Sequence, residues 1–154
     1  MAPSSNLEDS VTSVALQQCL YFNVLLASVY FAFCVMNIWS KSDLVYQSTL
    51  NRALTTPMVV FWAAAEVCRI YCGYVGNLNE KVPETSAFLL VTTFPQLPAL
   101  LFLTFVQEHT YPMDYFGGIL MLVLTASELA IGAAAFQSLI RHQTAQFYRL
   151  VISP

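Results

Sequence analysis

EVCRIYCGYVGNLNEKVPE, Glu66 to Glu84, sets an acid and an arginine three residues apart in an apolar run, then halts in glycines, an asparagine and a proline. What those charges do depends on the solvent around them, and the rest of the chain decides the solvent. The 154 residues are 57% hydrophobic and 10% charged, against roughly 25% charged in an ordinary soluble domain. This is membrane composition. One domain would be usual for the length, but the informative count is of segments able to cross about 30 Å of hydrocarbon, roughly 20 residues each.

Outward from that stretch there are four such segments. Its own run, LTTPMVVFWAAAEVCRIYCGYV, covers 54–75. Before it, no charge occurs between Asp9 and Lys41, and 14–39 reads VALQQCLYFNVLLASVYFAFCVMNIW. After it come AFLLVTTFPQLPALLFLTFV at 87–106 and YFGGILMLVLTASELAIGAAAFQSLI at 115–140. The expected fold is all-α, a four-helix transmembrane bundle with helices at about 14–39, 54–75, 87–106 and 115–140. A polar N-terminal tail, 1–12, and a short cytosolic C-terminal tail, 141–154, flank a four-span domain, 13–140. The segments outside the runs are short and polar, so no extramembrane catalytic domain is expected. The N-terminus does not read as a cleavable signal, because its polar lead carries Glu8 and Asp9 and the following run exceeds an h-region.

Four spans put both termini and the 2–3 connection on one side. That side holds Lys81, Arg141 and Arg149, with Arg69 nearby, whereas Lys41 and Arg52 lie on the other. The positive-inside rule then predicts cytosolic termini. Tyr21, Trp39, Tyr46, Tyr71, Tyr74, Tyr111 and Tyr115 fall near span ends, where amphipathic rings prefer to sit.

A charge at the centre of a membrane helix costs roughly 2.5–3.5 kcal/mol on insertion scales, so Glu66, Arg69 and Glu128 require partners or protons. At 100° per residue Trp62, Glu66, Arg69 and Gly73 share a stripe, which places acid and base within i, i+3 reach. In the fourth span Gly117, Met121, Leu124, Glu128, Gly132 and Ala135 form a stripe beside a small-residue ridge, Ala126, Ala130 and Ala134, of the kind that lets helices approach. Counted from their shared end, Glu66 and Glu128 come to similar depths. The expectation is an intramembrane cluster of Glu66, Arg69 and Glu128 tying span 2 to span 4. With two acids against one base, one carboxyl is expected to keep its proton.

Two readings compete for that cluster: a structural clasp, and the pathway of a small ion channel or transporter. A channel predicts a polar lining through several helices, yet spans 1 and 3 offer mainly Asn23, Asn37, Thr92, Thr93 and Gln96. No second copy of the Glu-x-x-Arg segment suggests a transporter repeat. Pro95 and Pro98 each remove a backbone hydrogen bond and predict a kink in span 3. Gly73, Gly76 and Asn77 are expected to supply the left-handed conformations that stop the second helix, and Pro83 to set the start of the third.

Catalytic residues are not expected, since no Ser–His, Asp–Asp or His-Glu-x-x-His arrangement occurs in the spans. Cys19, Cys34, Cys68 and Cys72 all lie in spans and read as small apolar residues. Cys68 and Cys72 are four apart, but His109 and His142 belong to opposite sides, so no metal site is expected. No cofactor is expected either.

SVALQQCLYFN (Ser13–Asn23), EVCRIYCGYVGNLNEKVPE and FPQLPALLFL (Phe94–Leu103) together resemble the transmembrane protein 17 family of four-pass ciliary proteins, related to transmembrane proteins 216 and 80. The middle segment is the most specific, and the Lys-Val-Pro-Glu after its turn looks like the 17 branch. The resemblance implies a non-enzymatic subunit of the tectonic-like, or Meckel syndrome, complex at the ciliary transition zone. Such a subunit would contribute to a diffusion barrier that supports cilium assembly and Hedgehog signalling. Its implied partners are membrane lipids, tectonic-type and related four-pass membrane proteins and B9-domain-type cytosolic proteins; nucleic acid is not among them. The family signature falls on Glu66, Arg69 and the turn motif Gly73, Gly76, Asn77, Leu78 and Pro83, read as fold and assembly positions. The tail after Arg149 departs from the longer polar tail of the 17 branch.

Overall fold

A computed structural model describes residues 12–41, 49–107 and 112–152. The tail residues 1–11, Tyr46, His109, Tyr111 and the side chains of Lys41 and Arg52 lie outside this description. Every span is helical: α1 (Val14–Lys41), α2 (Thr49–Leu78), α3 (Val82–Val91), α4 (Leu97–Leu101) and α5 (Pro112–Ile152). The third span is α3 and α4 joined and extended by wide π-type turns, Thr92–Gln96 and Phe102–Val106. Four helices are thus long and apolar enough to cross a membrane.

The spans pack in a closed ring, each against its sequence neighbours, with α5 returning against α1. Phe22, Leu25, Val60, Phe61, Val67, Leu90, Phe116 and Val123 are exposed on the outside. A belt of this kind belongs in lipid; in water it would form a far larger apolar patch than a soluble monomer carries.

Local chemistry explains the helix ends. Ser13 caps α1, its Oγ accepting the Leu16 N–H at 3.3 Å. α2 runs through Gly73 and Gly76 and stops three residues later than expected from the hydropathy, because neither glycine takes a positive φ. The left-handed residue is Glu80, at φ 52, and the Lys81 N–H closes the turn on the Gly76 carbonyl at 3.0 Å. The expected role of the glycines is therefore corrected: they make room. A Cβ on Gly73 would stand 3.0 Å from Leu20 and Phe88, and one on Gly76 would stand 2.6 Å from the Thr85 backbone nitrogen.

Pro83 sits in the first turn of α3, where its missing N–H costs nothing. The break in span 3 falls at Phe94, with φ −150 and ψ 110, before a cis Phe94–Pro95 bond. Pro98 adds no second kink, for it occupies the first turn of α4. α5 continues past Ile140 to Ile152, since QSLIRHQTAQFYRL contains no glycine or proline; the polar residues mark the exit from lipid and not the end of the helix.

Two apolar layers fill the interior. Leu16, Leu20 and Phe88 form one near the terminal side, while Ala27, Tyr30, Val59, Trp62, Leu100, Leu103 and Met121 are the main members of the other. Tyr30 meets Trp62 edge to face at 5.2 Å. By residue order along each helix, Asn23, Glu66, Arg69, Thr92, Gln96, Thr125 and Glu128, all buried, lie between these layers.

Candidate functional site

Between the layers, all four spans contribute to one hydrogen-bonded chain. Glu66 and Arg69 come from adjacent turns of α2, and Arg69 holds Glu66 in a side-on fork, Nη2 to Oε1 at 2.5 Å and Nε to Oε2 at 3.3 Å. The remaining Arg69 nitrogen, Nη1, donates to Glu128 Oε2 of α5. Asn23 of α1 donates its Nδ2 to the same oxygen at 2.7 Å, and Gln96 of the third span donates Nε2 to Glu66 Oε2. Arg69, Asn23, Gln96 and Glu128 are completely buried and Glu66 is 4% exposed. The guanidinium also lies 5.8 Å from the centroid of the Phe88 ring, a cation–π distance.

The three charged residues singled out by sequence thus meet, and two neutral amides join them. Asn23 and Gln96 carried only a weak signal, as isolated amides in apolar runs; nothing in their spacing assigns them to opposite ends of one network. The fourth-span stripe divides as expected at Met121, Glu128 and Gly132, which are buried, but Ala126, Ala130 and Ala134 face outward. The close approach is made by glycines instead: a Cβ on Gly132 would stand 2.8 Å from Phe88, and one on Gly118 2.4 Å from Thr104 Oγ1.

A second polar tie sits at the terminal end. Asn77, the asparagine of the turn motif, accepts the Ser13 N–H on Oδ1 at 3.0 Å and donates Nδ2 to the Ser13 carbonyl at 2.9 Å and to Gln17 Oε1 at 3.0 Å. One side chain thereby fixes the start of α1 against the end of α2. Gln143 of α5 donates to the Glu80 carbonyl at 2.8 Å. Replacing Asn77 with alanine is expected to cost about 1–3 kcal/mol by stranding the Ser13 N–H and the Gln17 side-chain oxygen, while the Ser13 carbonyl keeps the Gln17 N–H, measured as a lower thermal midpoint in detergent; an unchanged midpoint would show the tie to be idle. Leu78, next in the motif, is exposed. At the opposite end Asn37 of α1 donates to Asp114 of α5.

None of the four cysteines forms a disulfide; Cys68 is exposed on the outer face and Cys19, Cys34 and Cys72 are partly buried. Among the described residues no three His, Cys, Asp or Glu side chains come together as a metal site would need.

Comparisons with known proteins agree with a membrane protein. A family model described as a predicted membrane protein, that of transmembrane protein 17, matches residues 18–125. The chain is 33% identical over 143 residues to transmembrane protein 17B of Xenopus tropicalis, covering 91% of this chain and 64% of that one. It is 28% identical over 141 residues to transmembrane protein 17 of Homo sapiens, covering 91% and 70%. With transmembrane protein 17B of Danio rerio it shares 29% identity over 144 residues, covering 92% and 73%. The chain therefore spans about two thirds of the length of these relatives. No solved structure matches. Matched across more than half its length, this chain belongs to the transmembrane protein 17 family of membrane proteins.

Proposed function

We propose that the chain is a non-enzymatic subunit of the tectonic-like complex at the ciliary transition zone, with both termini in the cytosol. In this reading it acts as a rigid scaffold in the diffusion barrier between plasma membrane and cilium. Family membership carries the proposal, together with the Glu66–Glu84 segment on which the resemblance is most specific. The interior supports a scaffold over a conduit: each intramembrane charge is engaged with another span, and apolar layers close the cluster above and below. Thr92 and Thr93 line no path, since their hydroxyls bond back to the Phe88 and Leu89 carbonyls of their own helix. The outer face, almost wholly apolar, suits lipid and neighbouring membrane proteins of tectonic or four-pass type. The polar terminal side suits B9-domain-type cytosolic proteins.

The test is a fluorescent tag on the C-terminus in ciliated cells with markers for the basal body and the ciliary shaft. A spot just distal to the basal body, lost when a transition-zone partner is removed, is the expected result. Diffuse signal in other membranes would overturn the assignment and send the buried charges to ion-flux assays.

A further inference from the structure

The two acids beside Arg69 are not equivalent. Both Glu66 oxygens receive donors, Oε1 from Arg69 Nη2 at 2.5 Å and Oε2 from Arg69 Nε at 3.3 Å and Gln96 Nε2. Glu128 receives Arg69 Nη1 and Asn23 Nδ2 on Oε2 alone, while its Oε1 is buried with no partner. An ionised carboxylate needs donors on both oxygens when water is excluded. Glu66 has them and Glu128 does not.

From this asymmetry we propose that Glu128 carries a proton on Oε1 in the folded protein, so that Glu66 and Arg69 form the ion pair and the cluster is neutral. A neighbouring oxygen lacks a donor that this hydroxyl can supply: Asn23 Oδ1, on the amide already bonded to Glu128. Asn23 is completely buried. The titratable and charged groups around Glu128 are Cys19 of α1 and Glu66 and Arg69 of α2, and the third span presents the neutral Gln96. One positive charge is therefore shared by two acids, and the proton, taken from water when the bundle assembles, removes the excess negative charge.

Infrared spectroscopy of the purified chain in an ester-free detergent tests this. A protonated-carboxyl band is expected at neutral pH and is expected to vanish in Glu128→Gln, whose thermal midpoint stays close to that of the unsubstituted protein because an amide mimics a neutral acid. Glu66→Gln should lower the midpoint markedly and also lose the band, as Glu128 gives up its proton to pair with Arg69. A missing band in the unsubstituted protein, a band that survives Glu128→Gln, or equal loss of stability in the two variants would overturn the assignment.

Discussion

Arg69→Leu is expected to destabilise the bundle by about 3–5 kcal/mol, the usual cost of stripping one partner from a buried ion pair. The loss leaves Glu66 with only Gln96 and Glu128 with only Asn23 as donors, in an interior that excludes water. Two carboxyls then face one another, and protonation or rearrangement must follow before the helices pack. Glu128→Leu is expected to cost less, about 1–2 kcal/mol, because the Arg69–Glu66 fork survives it. Folding yield and thermal midpoint in detergent check the order. A Glu128→Leu protein that folds worse than Arg69→Leu would mean that α5, and not the α2 ion pair, anchors the network.

Gly76→Ala is expected to be nearly as damaging, at about 3 kcal/mol, although it adds a single methyl group. That methyl would stand 2.6 Å from the Thr85 nitrogen and 3.0 Å from the Glu84 carbonyl carbon, and backbone cannot swing aside as a side-chain tip can. α2 and α3 would have to separate at the turn, loosening the Lys81 to Gly76 hydrogen bond and the nearby Asn77 tie. Gly117→Ala is the control. Its added carbon meets only the edge of the Tyr30 ring, Cδ2 at 3.2 Å and Cε2 at 3.5 Å, and a small shift of that ring relieves it. Equal midpoints for the two variants would contradict a steric role for Gly76.

The architecture was legible because a bilayer imposes its thickness on sequence: about 20 apolar residues per crossing leaves little freedom in a chain this short. The charged half of the clasp was legible for a related reason, since Glu66, Arg69 and Glu128 have no acceptable place in lipid except beside each other. Asn23 and Gln96 were harder to assign. Single amides are tolerable in a helix at low cost, and their pairing depends on the depth register of spans on opposite sides of the ring, which no local pattern encodes. The glycines misled in the opposite direction: next to an asparagine they look like helix stops, yet Glu80 takes the left-handed turn while Gly73 and Gly76 give way to Leu20, Phe88 and Thr85. The alanine ridge of α5 misled similarly, because small residues permit close packing without saying on which face it occurs.

The double-mutant cycle between Glu66 and Arg69 tests the central claim most directly, with Glu66→Leu, Arg69→Leu and the combined variant unfolded thermally in the same detergent. If the pair is a clasp satisfied internally, the combined variant loses less stability than Arg69→Leu alone, with a coupling of about 2 kcal/mol or more. Losses that add to within about 0.5 kcal/mol would show that the two side chains act independently, and the clasp would be contradicted.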